Sequence, residues 1–190
     1  ALANLAEVNR KIADGADIIR LEAGQPCFGA PNGVIDSARD ILEKDPRQGY
    51  TDALGARFLR ERIAQYYQDT YGQDVDYKRI VVTVGSSAGF ILSFLAAFDA
   101  GDTIALCTPT YAAYKNLLKS LDLNSVEIQT TAETNYQPSL ELLERSGVEF
   151  QGIMINSPSN PSGTIIDEQE FENIINWCEA RGVRVMSDEA

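Results

Sequence analysis

Two adjacent serines follow the first predicted strand, where a phosphate could bind. Ser86 and Ser87 come directly after RIVVTVG, at the start of an apolar helical pattern. The first turn of a helix has backbone N–H groups without helical partners, and these groups and serine hydroxyls can bind a phosphate. An ordinary helix N-cap is the alternative, because serine is favoured there. The segment has neither a P-loop pattern nor a GxGxxG pattern.

An aromatic ring and a side-chain amide follow two later strands. Tyr111 comes after TIALCT and could present a flat ring to a planar ligand, although a half-buried structural tyrosine is the simpler interpretation. Asn160 lies in the loop PSNPSG, where the next proline favours an extended backbone and the amide could donate a hydrogen bond. A turn-forming asparagine explains Asn160 equally well.

A carboxylate follows the last predicted strand. Asp188 comes after VRVMS, and a buried carboxylate there is costly unless a cation or a protonated nitrogen pairs with it. A helix cap or an exposed strand end is the alternative. Because the carboxyl ends of parallel strands share one edge of a sheet, these side chains are expected to converge. Together they predict a pocket for a flat, phosphorylated, nitrogen-containing heterocycle, and pyridoxal phosphate has each of these parts.

The elements that would position these residues alternate between helices and short strands. Strands are predicted over 79–84, 103–108, 125–130, 151–157 and 183–187. Helices are predicted over 33–45, 53–71, 88–98, about 112–121, 138–147 and 167–182. This alternation predicts an α/β fold with three layers, in which helices cover both faces of a mainly parallel sheet.

The composition limits the partners and the chemistry. The 190 residues carry a net charge of −12, which disfavours nucleic acid and membranes as partners. With no histidine and no CxxC pair, neither a metal site of the zinc type nor a histidine base is expected. Cys27, Cys107 and Cys178 are predicted to be buried thiols in a reducing compartment, which favours a cytoplasmic location.

Six segments, in this order, resemble the class I/II aminotransferases, the fold-type I family of pyridoxal-phosphate-dependent enzymes. They are LEAGQPCFGAP, GYTDALGARFLRERIAQYY, VTVGSSAGF, CTPTYAAY, NSPSNPSG and VMSDEA. The resemblance implies a pyridoxal-phosphate-dependent transferase-like large domain, incomplete at the C-terminus. It also implies that residues 1–44 contribute to a small domain and that residues 45–190 form the N-terminal part of the large cofactor-binding domain.

The resemblance implies a role for each residue at the strand ends. Ser86 and Ser87 would bind the cofactor phosphate. Tyr111 would stack on the pyridine ring, and Asn160 would hydrogen-bond its phenolic oxygen. Asp188 would pair with the protonated pyridine nitrogen.

Further implied features lie elsewhere in the chain. Tyr50 would reach the cofactor phosphate of a neighbouring subunit, which implies a homodimer, and Gly24 would lie near the substrate carboxylate. Cys27 stands where many family members have an acid. The Schiff-base lysine, the catalytic residue of the family, is expected beyond Ala190. The sequence is therefore interpreted as an N-terminal fragment that is inactive alone.

The resemblance implies an aminotransferase of amino acid metabolism. The full-length protein would transfer an amino group from an amino acid to a 2-oxo acid. A lyase or synthase of the same fold is the first alternative, because family members differ in the reaction they complete. A fragment that binds the cofactor without turnover is the second alternative.

Overall fold

The computed structural model describes residues 2–21, 24 and 27–189, and the chain divides into two compact units, Ala1–Ala53 and Leu54–Ala190. The first unit contains two helices, α1 (Leu2–Ala13) and α2 (Asn32–Lys44). Helix α2 lies within one residue of its predicted range at each end, whereas α1 is an addition to the predicted elements. The boundary predicted between residues 44 and 45 concerns domains of a longer protein and stays a prediction.

The second unit contains a parallel sheet of four strands. In chain order they are β1 (Thr103–Thr108), β2 (Asn124–Gln129), β3 (Gly152–Asn156) and β4 (Arg184–Asp188). Their order across the sheet is β2-β1-β3-β4, and every neighbouring pair is parallel. The path leads from β1 outward to β2 and then back past β1 to β3. The sheet therefore has a topological switch point between β1 and β3, where ligands bind in such folds.

Helices cover both faces of this sheet. The second unit contains α3 (Arg57–Tyr71), α4 (Ser86–Ala97), α5 (Ala113–Ser120), α6 (Leu140–Ser146) and α7 (Glu168–Arg181), with short 3-10 turns at Tyr77–Arg79 and Ala132–Thr134. Side chains from α4 to α7 pack on the sheet. Alternate residues of β1 point to opposite faces. Ile104 and Leu106 pack with side chains of α4 and α5, whereas Ala105 and Cys107 pack with those of α6 and α7. The predicted three-layer α/β arrangement is confirmed.

The segment over 79–84 differs from its prediction. The continuous apolar run predicts a strand here, but no described strand pairs with it, and Val81 and Val84 are 45% and 96% exposed. Its backbone makes one long-range hydrogen bond, from Val82 N–H to the carbonyl of Leu54 at 3.0 Å. The prediction is wrong for the described chain, because β-branched residues favour a strand only where a neighbouring strand supplies hydrogen bonds.

The three cysteines do not share one environment. Cys107 and Cys178 are buried, and burial raises the pKa of their thiols to about 12 and about 11 respectively. Cys27 is exposed, so the prediction of a buried thiol is wrong there. It lies outside any helix or strand of the first unit, where no packed face surrounds it. Among the described residues, no helix is both long and apolar enough to cross a membrane, and no cluster of possible metal ligands occurs.

Gly152 of β3 packs closely against Phe98 and Ile104. A Cβ atom at this position of β3 would overlap the ring of Phe98 and lie 3.0 Å from Cδ1 of Ile104. Gly152→Ala is therefore expected to lower the free energy of unfolding by about 1–3 kcal/mol, as overpacked core variants do. Urea denaturation followed by circular dichroism measures the change. Gly29→Ala is the control, because a Cβ there meets nothing within 4 Å. Equal stability of the two variants would contradict the packing argument.

Candidate active site

A cavity of about 380 Å³ opens between α4 and the sheet. It brings together Ser86, at the start of α4, and Asp188, at the end of β4, as the strand-end argument predicts. The cavity lining also includes the apolar side chains of Phe90, Met154 and Met186. The complete lining is Ser86, Gly89, Phe90, Ser93, Met154, Met186, Ser187, Asp188 and Glu189.

The start of α4 has the features of an anion site. Gly85 is the N-cap residue, with φ of +80°, and no side chain caps the helix there. Its carbonyl accepts a hydrogen bond from the Thr83 hydroxyl at 2.8 Å, which holds the turn in place. Ser86 and Ser87 are the first two helical residues, so neither is the N-cap that the alternative explanation required. Their N–H groups have no partners within the helix, and the helix dipole favours an anion near them.

Asp188 lines the same cavity and is buried. Asp188 is 9% exposed, so the alternative of an exposed strand end is wrong. One of its carboxylate oxygens, Oδ2, accepts a hydrogen bond from the hydroxyl of Tyr114 in α5. Its backbone carbonyl accepts from Ser157 N–H at 3.0 Å and from Asn156 Nδ2 at 3.2 Å. Both the side chain and the backbone of Asp188 are therefore held by neighbouring elements.

The loop after β3 is held by buried polar side chains. The backbone N–H of Asn160 donates to Asn156 Oδ1 at 2.7 Å, so Asn156 links Asn160 to the backbone of Asp188. Gln137 is buried, and its Nε2 donates to the carbonyl of Thr164 at 2.8 Å on the far side of the loop. The side chain of Asn160 is exposed and does not line the cavity. The network thus fixes the backbone of Asn160 rather than its amide.

Tyr111 lies just before α5, where its carbonyl accepts a hydrogen bond from Tyr114 N–H at 3.2 Å, and its ring packs against that of Tyr114. The two ring centroids are 5.4 Å apart, and the rings are nearly perpendicular. Tyr111 is half-buried and does not line the cavity itself. Its neighbour Tyr114 also contacts Phe90, which lines the cavity.

Two predicted site residues belong to the first unit. Tyr50 is fully exposed, and Gly24 is also exposed. The residues next to Gly24, at 22, 23, 25 and 26, lie outside the described residues. The roles of Tyr50 and Gly24 stay predictions.

Three buried polar residues of the site were absent from the sequence-based prediction. They are Tyr114, Asn156 and Gln137. Tyr114 carried a usable signal, because it is a second tyrosine only three residues after Tyr111, close to the end of β1. Asn156 carried a weaker signal as the polar end of the buried strand GIMIN. Nothing in the local sequence distinguishes Gln137.

A comparison with known families decides the class of protein. The family described as aminotransferase class I and II matches residues 16–190, nearly the whole chain. This chain belongs to that family. The resemblance drawn from the six sequence segments is thereby confirmed.

Individual aminotransferases support the assignment. A valine–pyruvate aminotransferase of Mycobacterium tuberculosis is 42% identical over 185 residues, which are 97% of this chain and 47% of that protein. An asparagine–oxo-acid transaminase of Streptococcus mutans is 34% identical, over 99% of this chain and 48% of that protein. The chain therefore spans about half the length of these curated relatives.

Solved aminotransferase structures share the fold. An aspartate aminotransferase from Thermotoga maritima matches with a TM-score of 0.91 at 30% identity, covering 100% of this chain and 50% of that chain. An aspartate aminotransferase from Thermus thermophilus with maleate matches with a TM-score of 0.92 at 26% identity, covering 99% of this chain and 49% of that chain.

Proposed function

We propose that the protein is a pyridoxal-phosphate-dependent aminotransferase, which moves an amino group from an amino acid to a 2-oxo acid. The observation that carries this proposal is the cavity between Ser86 and Asp188, in a chain that belongs to the aminotransferase family. Because the chain spans about half the length of its relatives, the activity is assigned to the whole encoded protein.

The residues of the cavity fit the two charged ends of pyridoxal phosphate. The uncapped start of α4 at Ser86 suits a phosphate, even in a chain whose net charge of −12 would repel one elsewhere. Asp188 supplies a negative charge for a protonated ring nitrogen. Phe90, Met154 and Met186 provide apolar lining, which suits a flat ring.

Each strand-end residue takes a role in this proposal. Ser86 and Ser87 bind the phosphate, and Tyr111 stacks on the ring. Asn160 donates a hydrogen bond to the phenolic oxygen. Asp188 holds a proton on the ring nitrogen, because a nearby negative charge favours the protonated form of a base. When bound, pyridoxal phosphate supplies an electron sink for bond breaking at the α-carbon of the amino acid.

The proposal extends to the assembly and to the location of the protein. We assign Gly24 to the region of the substrate carboxylate and Tyr50 to the cofactor phosphate of a neighbouring subunit. The second assignment requires a homodimer. A cytoplasmic location accords with the buried, unpaired thiols of Cys107 and Cys178.

Valine and pyruvate are the first substrates to test. The 42% identity with a valine–pyruvate aminotransferase supports a small apolar amino donor. Aspartate and asparagine are the second and third choices, because two further relatives carry those names at 33% and 34% identity.

Transfer of a nitrogen label tests the proposed function. The whole protein, pyridoxal phosphate, ¹⁵N-valine and pyruvate are expected to yield ¹⁵N-alanine, which mass spectrometry detects. Omission of pyruvate is the control and should give no alanine. Release of labelled ammonia without labelled alanine from any of the three donors would instead support a lyase. Cofactor binding without any product would support the non-catalytic alternative.

A further inference from the structure

Tyr114 contacts two residues of the candidate site, Asp188 and Phe90, without lining the cavity itself. It is one of the largest fully buried side chains, with 0% exposure, and it lies in the first turns of α5. It packs in the core between the sheet and the helices α4 and α5. A tyrosine at such a position has to satisfy its hydroxyl within the protein, because an unpaired buried hydroxyl is costly.

The hydroxyl of Tyr114 is satisfied by a carboxylate from a distant part of the chain. Asp188 lies 74 residues later and accepts the hydrogen bond at Oδ2. Helix α5 follows β1, whereas Asp188 ends β4, and β3 lies between these two strands. The contact therefore crosses the topological switch point of the sheet. It restricts rotation of the carboxylate by fixing one of its two oxygens.

The ring of Tyr114 makes a second set of contacts with the same site. It packs edge-to-face against Tyr111, with centroids 5.4 Å apart, and against Phe90, with centroids 5.3 Å apart. Perpendicular ring pairs of this kind have a preferred geometry. One side chain thus touches Asp188 and Phe90 of the cavity lining and also Tyr111, which is proposed to stack on the cofactor.

We propose that Tyr114 is a positioning residue that orients the Asp188 carboxylate toward the ring nitrogen of pyridoxal phosphate and supports the Tyr111 ring beside it. This inference rests on the proposed function and deepens it. Tyr114 touches neither cofactor nor substrate in this assignment. It acts through the two side chains that do.

The phenol is suited to remain a hydrogen-bond donor. Burial raises the pKa of the Tyr114 hydroxyl well above its usual value, and the hydrogen bond to the negatively charged Asp188 raises it further. The proton therefore stays on Tyr114, and Asp188 stays the acceptor. No proton transfer between the two residues is part of this role.

A purely structural hydrogen bond is the competing explanation, and a double-mutant cycle separates the two. Tyr114→Phe keeps the ring contacts and removes only the hydroxyl. In the whole protein it is expected to weaken binding of pyridoxal phosphate by roughly 5- to 30-fold, which is less than the full loss of a hydrogen bond to a charged group because Tyr114 acts on the cofactor only through Asp188. In an Asp188→Ala background the same substitution is expected to change binding by less than about twofold, because its partner is gone.

The measurement is the dissociation constant of pyridoxal phosphate, from absorbance titration of the cofactor-free protein. Tyr136→Phe is the matched control, since Tyr136 is a partly exposed tyrosine outside the site, and it should bind like the wild type. Equal binding by Tyr114→Phe and wild type would overturn the inference. Equal weakening in both backgrounds would overturn it too, because the effect would then not pass through Asp188.

The same titration keeps this inference separate from the proposed function. A wild-type protein that does not bind pyridoxal phosphate defeats the proposed function and this inference with it. A wild-type protein that binds, with an unaffected Tyr114→Phe variant, defeats only the inference.

A second measurement decides the case if Tyr114→Phe does not fold, which circular dichroism would show. Site-specific replacement of Tyr114 by 3-fluorotyrosine keeps the hydroxyl and nearly the same volume. Its ¹⁹F resonance is expected to shift when pyridoxal phosphate is added, and to shift much less in the Asp188→Ala background. An unchanged resonance on cofactor binding would overturn the positioning role.

Discussion

Asp188→Ala is expected to lower the turnover number of the whole protein by roughly two to three orders of magnitude, the usual cost of losing one preorganised electrostatic contact at a reacting centre. Pyridoxal phosphate should still bind, because the phosphate is proposed to bind at the start of α4, away from the substitution. The loss is expected because Asp188 is proposed to keep the ring nitrogen protonated, and a protonated ring would withdraw electrons better. Single-turnover measurements at saturating pyridoxal phosphate and amino acid separate this effect from weaker binding.

A second variant separates charge from packing at the same position. Asp188→Asn keeps an oxygen that accepts the Tyr114 hydrogen bond but removes the negative charge. It should lose as much turnover as Asp188→Ala, while its unfolding free energy should fall less, since no buried hydroxyl loses its partner. Glu179→Gln, an exposed carboxylate on α7, is the control for charge loss alone. Near-normal turnover in either Asp188 variant would defeat the assignment.

Ser86→Asp is expected to weaken binding of pyridoxal phosphate by about 100-fold, equivalent to about 2.7 kcal/mol. The new carboxylate would occupy the first turn of α4, where the phosphate is proposed to bind, and repel it. The same carboxylate interacts favourably with the helix dipole, so stability should rise by about 0.3–1 kcal/mol. The variant therefore separates cofactor binding from folding, because the two effects have opposite signs.

Pyridoxal without its phosphate is the sharpest control for this variant. Its affinity should be nearly the same for Ser86→Asp and the wild type, because the repelled group is missing. Ser125→Asp adds the same charge on the exposed edge strand β2 and should leave binding of pyridoxal phosphate unchanged. An equal loss of affinity for pyridoxal and for pyridoxal phosphate would mean that the phosphate does not bind at Ser86.

Helices and strands whose ends are marked by nearby residues in the sequence were predicted closely. The strand β1 has its predicted bounds, and the other three strands lie within one residue of theirs at each end. Helix α7 keeps close to its predicted range, since the Asp167 side chain accepts from Glu170 N–H before its first residue and Gly182 ends it with φ of +68°. Helix α3 begins four residues later than predicted, at Arg57, because Gly55 adopts φ of +95°, which a helix cannot include. Apolar periodicity does not reveal such a turn.

The sequence by itself determined the order of the elements, the family and the residue types at the carboxyl ends of the strands. These features depend on residues close together in the chain and on the order of the motifs, and both can be read directly from the sequence. Only the tertiary structure decided that segment 79–84 lacks a described strand partner and that Tyr114 holds Asp188 across β3. Each of these depends on which distant segments lie side by side. A hydrogen bond across 74 residues exists only after the sheet has formed its strand order, so no local pattern contains it.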